Sequence, residues 1–417
     1  MANIKPFICI RPDAKYAART AALPYDVYNR EEAKAEAALD PVSFLNIDRP
    51  ETQFPDTQDI YAPENYRKAA EMLQEQLALG IYQKDTKESY YIYELTMDGR
   101  VQNGIVGCAS LDDYIDGIIK KHENTREEKE LDRIRHVDVM SAQTGPIFLA
   151  CRKNEELKKV INEAKQDEPL YDFISKDGIR HRVFQIGKTD AESGRVSAIQ
   201  RAFKEMEAIY IADGHHRAAS AVKVGLKRRD AHPGYTGTEE FNYFLSVTFL
   251  EDELAILPYN RLIKDWNGHT KEELLTEAAK YFAVSKQSAP VSPEKKGVFG
   301  MYLDGEWYRL EAKEELLNIK DPVAGLDVSL LQDYLLKPVF GIEDPRTDKR
   351  IDFVGGIRGL GELERRAKTD MAAAFSMYPT SIQELFEVAD AGLLMPPKST
   401  WFEPKLRSGL FIHEIEK

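Results

Sequence analysis

The sequence predicts an α+β fold, on three features of the 417-residue chain. Two hairpin signatures call for antiparallel sheet: Tyr90–Met97 turns at Asp98-Gly99 into Gly104–Ala109, and Val298–Leu303 turns at Asp304-Gly305 into Trp307–Leu310. Amphipathic helical periods, clearest over Pro63–Leu79, are interspersed with strand-like runs. Hydrophobic residues at 43% and charged residues at 30% give the balance of a folded chain that buries a large core without disulfides or metal.

The stretch Leu23–Pro55 reads as loop-rich and carries Pro24-Tyr25-Asp26-Val27, then Ser43-Phe-Leu-Asn-Ile-Asp48-Arg49-Pro50. Helix Pro63–Leu79 has Pro63 in its first turn and Gly80 at its stop, with Tyr66, Ala69, Ala70, Leu73 and Leu77 on one face. After the first hairpin come a short helix Leu111–Lys120, the polar stretch Lys121–Thr125 and helix Arg126–Arg135. Strand Pro146–Cys151, helix Asn154–Lys165, strand Arg182–Ile186, helix Ser193–Met206 and strand Ala208–Ala212 follow. An Ala-rich helix runs from about His216 to Lys223. The later half is expected to hold strand Asn242–Leu250, helix Lys271–Phe282 and the second hairpin. Helices Leu326–Leu336, Glu362–Ala374 and Ile382–Ala391 follow, with strand Phe375–Tyr378 before the last of them. Two strands, Thr400–Phe402 and Gly409–Ile415, close the chain. Polar stretches at Gln83–Ser89, His232–Glu240 and Gln287–Lys296 mark candidate boundaries.

Lys+Arg number 57 against 70 Asp+Glu, a net charge of −13. That balance argues against a general nucleic-acid binder, which needs a basic surface to displace counterions from phosphates. Cys9, Cys108 and Cys151 stand at no CxxC spacing, a pattern of a reducing compartment. No apolar run approaches the ~18 residues of a membrane span, and Phe7–Ile10 is too short for a signal-peptide core. A cytoplasmic, enzyme-sized protein with no membrane partner is expected.

The sharpest constellation is Asp213-Gly214-His215-His216-Arg217, between a strand and a helix. Such a junction presents free backbone N–H groups, a ready anion site. Gly214 permits close backbone approach or a left-handed turn. The two histidines and Arg217 add donors and charge suited to a polyphosphate. Asp213 could hold Mg²⁺ or orient a histidine. The plainer alternative is an N-capping aspartate with two surface histidines; the run of special residues after Ile209-Tyr-Ile-Ala212 favours function. Zinc fails on spacing, because adjacent side chains at a helix start diverge. No GxxxxGK[ST] loop occurs, and Gly355–Gly361 lacks GxGxxG spacing.

A second constellation is His122-Glu123 with Lys129, Asp132 and Arg133. A carboxylate beside a histidine in a loop between helices could be a general base. On composition alone, the acidic start of a surface helix with i, i+4 pairs is the better reading. The third is Met395-Pro-Pro-Lys398-Ser399-Thr400, where Pro-Pro stiffens a corner offering one charge and two hydroxyls, or merely a solvated loop. A stiffened corner is a poor free tail, so the tail is expected to fold back and close the site, with Lys398 facing a phosphate or the substrate carboxylate. Pro24–Val27 and Leu257-Pro-Tyr-Asn-Arg261 are weaker, and either could be a structural turn.

Taken together and in order, Pro24–Val27, His122-Glu-Asn-Thr125 with Asp132-Arg133, Ala212–Arg217, and Met395–Thr400 with Pro404-Lys405 resemble the bacterial and archaeal domain-of-unknown-function family ten-fifteen. The resemblance spans nearly the whole chain, and the Asp-Gly-His-His-Arg and Met-Pro-Pro-Lys-Ser-Thr strings together are specific. That family looks related to the ParB/sulfiredoxin-like superfamily, which includes free L-serine kinases making O-phosphoserine from ATP or ADP. The resemblance implies a ParB/sulfiredoxin-like mixed α/β nucleotide-binding core over 106–240. An N-terminal α+β segment would occupy 1–105 and a C-terminal α+β domain 241–417. It further implies that Gly214, His215, His216 and Arg217, with Asp213 in the same string, hold nucleotide phosphates. Glu123 of the His122-Glu123 pair would be the base on the serine hydroxyl. Charge adds Arg133 or Lys398, beside Ser399, as a clamp for the substrate carboxylate, and Asp26 or Asp213 as partner for its ammonium. Much of the chain outside Ala109–Gly225 has no counterpart in the small serine kinases, so the extra segments can reshape the pocket.

Three functions are therefore weighed. The first is a kinase for a small amino acid, free serine, using ATP or ADP with Mg²⁺. The second is a nucleotide-binding regulator of the ParB type without turnover, against whose DNA partner the −13 charge weighs. The third, a sulfiredoxin-like repair enzyme, needs a thiol in the phosphate loop where His215 stands, and ranks last.

Overall fold

A computed structural model describes residues 1–125, 127–187, 189 and 192–416. The chain forms two compact units, Met1–Leu254 with Pro404–Lys417, and Ala255–Glu403. These differ from the expected segments 1–105, 106–240 and 241–417. The reason lies in strand Arg100–Ser110, which crosses the first boundary and is hydrogen-bonded on both sides, to Tyr90–Met97 and to Tyr243–Leu250. A division at residue 105 would cut both ladders.

The first unit is built on a nine-stranded mixed sheet. Its spatial order is Ile119–Lys120, Ile209–Asp213, Ile147–Cys151, Tyr243–Leu250, Arg100–Ser110, Tyr90–Met97, Arg180–Ile186, Tyr171–Ile174, and Ile4–Lys5 also pairs with Arg100–Ser110. The hairpin forms as expected: Asp98 and Gly99 take φ of 50° and 78°, the left-handed pair that a two-residue turn matched to strand twist requires. Helices Glu155–Ala164, Ser193–Lys204 and His215–Ala231 bury Leu157, Ile161, Ile199, Phe203, Ala218 and Ala221 in one core with Ile92, Ile105, Leu149 and Ile211 of the strands. Each large side chain so buried contributes about 1.5–3 kcal/mol. A four-stranded sheet, Tyr82–Lys84, Cys9–Pro12, Ile412–Glu414 and Ala142–Gln143, ties the chain's last residues into this unit.

Several boundaries move. The loop-rich Leu23–Pro55 contains helix Arg30–Ala37, capped reciprocally by Asn29 and Glu32. The helix expected over Leu111–Lys120 ends at Ile115; Gly117 turns at φ 75°, and Ile119–Lys120 becomes an edge strand. The helix expected over Arg126–Arg135 runs Glu127–Met140, and Arg126 lies outside the described residues.

The second unit holds a six-stranded antiparallel sheet ordered Phe282–Gln287, Glu306–Ala312, Val298–Leu303, Ala373–Ser376, Tyr259–Ile263, Ile351–Gly355. The helix expected over Glu362–Ala374 is Gly359–Thr369, because Ala373 and Ala374 are buried as strand residues in the middle of this sheet. The whole is mixed α+β with several sheets. No helix among the described residues is long and apolar enough to cross a membrane.

Candidate active site

Strand Ile209–Asp213 and helix His215–Ala231 meet at Gly214, whose φ of 91° is left-handed. A Cβ there would stand 3.0 Å from the Arg217 guanidinium, so both backbone and space call for glycine. The 17-residue helix leaves its first backbone N–H groups without intrahelical partners, and no side chain caps them at Gly214. Parallel pairing then supplies the neighbour. Ile209 and Tyr210 lie opposite Ile119 and Lys120, so the chain just beyond Lys120 runs alongside the Asp213–His215 turn. His122 and Glu123 arrive there by register alone.

His122 is fully buried, its ring 4.5 Å from that of His215 and perpendicular to it. Neither of its ring nitrogens has a hydrogen-bond partner among the described residues. Burial, with His215 beside it, holds the imidazole neutral, its pKa down at about 3. The ring is thus shut away from substrate, contrary to its expected place beside Glu123 as a catalytic group. What His122 offers instead is its backbone N–H, which donates to His215 Nε2 at 3.4 Å. An acceptor Nε2 leaves the proton of neutral His215 on Nδ1. That nitrogen faces Glu123 Oε2 at 3.8 Å. Burial also pushes His215 down, to about 4, so the pair at neutral pH is an uncharged imidazole donor beside a half-exposed carboxyl side chain. His216 is partly buried and is shifted the same way by burial and by Lys129, against the opposing charges of Glu123 and Asp26.

Asp213 faces two cations. Lys405 Nζ lies 3.4 Å and Arg217 Nη2 3.8 Å from its Oδ2. Burial opposes its ionisation, yet Lys405, Arg217 and His215 together hold the carboxyl well below the usual range. The expectation that Asp213 holds Mg²⁺ therefore does not fit. A dication there would have to compete with both basic side chains, and no cluster of three His, Cys, Asp or Glu able to hold a metal occurs among the described residues. Arg217 also donates from Nη1 to Pro146 O at 2.6 Å, which locks its fork in place.

Arg133 is 7% exposed. It commits Nε and Nη2 to Asp132 Oδ2 at 2.9 and 2.8 Å, and its guanidinium stacks 4.1 Å over the Tyr25 ring. Asp26, next along, is exposed and near enough to act on the charge of His216. The structure thus gathers Glu123, Asp213, Gly214, His215, His216, Arg217, Arg133 and Asp26 in the first unit. Lys398 and Ser399 belong to the second unit. Lys398 is exposed with a left-handed φ of 59° and its Nζ 5.5 Å from the Tyr259 ring centre, while Ser399 is buried and donates to Pro396 O at 2.6 Å. Nothing local to Pro404-Lys405 points to Asp213, so the sequence assigns Lys405 no role of its own, and Asp48, Arg49 and Tyr25 read there as loop. Arg49 Nη1 donates to Tyr25 O and Tyr28 O, each at 2.8 Å, so the Ser43–Pro50 segment holds the Pro24–Val27 loop in place.

A family model described as a protein of unknown function (DUF1015) matches residues 4–329. No curated protein sequence matches the chain significantly. Among solved structures, a free serine kinase in complex with ADP shares 14% identity at a TM-score of 0.38, over 76% of this chain and 93% of that one. SbnI with a C-terminal truncation, from Staphylococcus aureus, shares 10% at 0.39, over 73% and 87%. A conserved hypothetical protein from Pyrococcus furiosus shares 15% at 0.31, over 75% and 95%. These are weak likenesses of shape. The chain belongs to the DUF1015 family.

Proposed function

We propose that this DUF1015 protein is a nucleotide-dependent small-molecule kinase, moving a phosphoryl group from ATP or ADP to the hydroxyl of free L-serine to give O-phosphoserine. The observation that carries this reading is Glu123 Oε2 facing the Nδ1 of His215 at 3.8 Å, at the open N-terminus of helix His215–Ala231. Phosphoryl transfer asks a protein for positioning and charge stabilisation. The N–H groups at the start of helix His215–Ala231, with Arg217 and Lys405 beside them, offer a cradle for phosphate oxygens. Glu123 accepts the hydroxyl proton as the oxygen attacks, with His215 Nδ1–H facing its carboxylate at 3.8 Å. Asp213 holds Lys405 and Arg217 in place. Charge neutralisation by nucleotide-borne Mg²⁺ is the chemistry that ion supplies when bound, and no side chain is assigned to it. The likeness of Gly214–Arg217 and of Glu123 in the His122-Glu123 pair to the free serine kinases supports the same assignment.

The test is incubation of pure protein with ATP or ADP, Mg²⁺ and a mixture of amino acids, followed by phosphorus NMR. A new phosphomonoester resonance is expected. Nucleotide binding without any phosphomonoester would overturn the kinase reading in favour of a regulatory protein.

A further inference from the structure

Beside the Gly214 turn, the first unit has a partly open, mostly apolar cavity of about 30 Å³ whose polar border includes Tyr25, Asp48, Arg133, Thr144, Arg217 and Ser408. Its charges are fixed. Asp48 is 2% exposed and its Oδ1 accepts from Thr144 Oγ1 at 3.0 Å. Arg133 is pinned by Asp132 and by the Tyr25 ring, and Arg217 by Pro146 O. Arg49, next to Asp48, ties down the backbone of Tyr25, so one segment sets both the acidic wall and the aromatic one.

Size and charge together limit the occupant. The space takes two or three water-sized groups, far too few for a nucleotide. An anion alone would meet Asp48, and a cation alone would forgo the two guanidinia, each of which already faces a carboxylate, Asp132 or Asp213; either arrangement leaves one wall unmatched. A small group carrying both charges a few bonds apart satisfies both walls. We propose that this cavity receives the zwitterionic head of a small α-amino acid, its carboxylate at Arg133 and its ammonium at Asp48. This rests on the kinase reading, which needs an acceptor seated beside Arg217. Asp48 then becomes the residue that selects for an amino group, and the side chain of the bound amino acid points out of the cavity toward the phosphate turn.

The experiment measures binding by calorimetry with L-serine, ethanolamine (no carboxylate) and glycerate (no ammonium), on the wild type, Asp48→Asn and Arg133→Gln. Wild type should bind L-serine roughly 10–100-fold more tightly than either truncated analogue. Asp48→Asn should weaken L-serine while leaving glycerate unchanged or improved. Arg133→Gln should weaken L-serine while leaving ethanolamine unchanged or improved. If Asp48→Asn fails to fold, the wild-type ligand series and Arg133→Gln still decide. Equal affinity for the three ligands, or variants that weaken all ligands alike, would overturn the assignment. The two readings fail separately. Phosphoryl transfer to an acceptor indifferent to Asp48 and Arg133 leaves the kinase standing and removes the pocket. The crossed binding pattern without transfer does the reverse.

Discussion

The two units hold their buried arginines differently. In the first, Arg133 lies on Asp132 and Arg407 on Asp177, and half-buried Asp213 sits between Lys405 and Arg217, while Asp48, Asp113, His122 and His181 are buried with no ion-pair partner among the described residues. In the second, Arg261 is 4% exposed with no carboxylate in ion-pair range among the described residues, holding only Tyr259 O and lying 5.5 Å over the Phe353 ring. Burial without a counter-charge presses its pKa down to about 10. Asp327, 7% exposed, takes among the described residues only the Gly297 N–H, at 2.9 and 3.0 Å, and burial pushes it up to about 7. Pairing keeps charges fixed and ready for a ligand, as a phosphate or zwitterion site needs. Unpaired burial makes the charge state itself depend on pH.

The largest expected effect is therefore a divergence of the two units with pH. Burial holds His122, His181 and His215 neutral, with pKa values near 3, 3 and 4 against the ordinary 6.5. The unfolded chain takes those protons first as pH falls, so their contribution is complete above 6.5 and shrinks on the way down to their folded values. Asp327 runs the other way: the folded carboxyl keeps its proton up to about 7 and the unfolded one loses it near 3.8, so its stability is full below 3.8 and is lost as pH rises. Acidifying from about pH 7 to about pH 5 should cost the first unit roughly 2 kcal/mol per histidine and strengthen the second. Amide hydrogen exchange, corrected for intrinsic rates, should show protection falling in Ile209–Asp213 and rising in Val298–Leu303. Both units moving together would break the contrast.

Next in size, Glu123→Gln should lower turnover by ~10²–10⁴-fold, the usual worth of a positioned proton acceptor, with nucleotide affinity kept. Wild-type turnover in steady-state assays would remove Glu123 from the chemistry. Arg217→Ala and His216→Ala should each weaken nucleotide binding by roughly 10–100-fold in calorimetry, since a charge-assisted bond to phosphate is lost. Unchanged affinity in both would make the turn no more than a helix start. The smallest effect belongs to the second unit. Lys398→Ala should move Tm by no more than a few degrees in a thermal melt, because the side chain is exposed. A large drop in Tm would mean that the corner serves folding.

Elements set by local backbone preference were legible in the sequence. Asp98-Gly99 and Asp304-Gly305 turn where expected because their left-handed angles are a property of those residues, and Pro63–Ala78 is helical because its apolar spacing repeats. Helix Arg30–Ala37 could have been read too, from Asn29 and Glu32 at capping-box spacing; the nearby prolines masked it. Gly214 was legible for the same local reason. The company it keeps was not. His122 reaches His215 across 93 residues, and Lys405 reaches Asp213 across 192. Those contacts follow from which strands lie side by side, and no residue's own torsional preference encodes its neighbour in a sheet. The inward turn of the His122 ring and the enclosure of Asp48 with two guanidinia have the same origin. Which residues could bind phosphate or accept a proton is readable from the chain alone, because chemistry and turn propensity are local. Which of them meet, which are sealed from solvent and which charges are paired follows from the packed fold, because strand order and burial are settled by the whole chain at once.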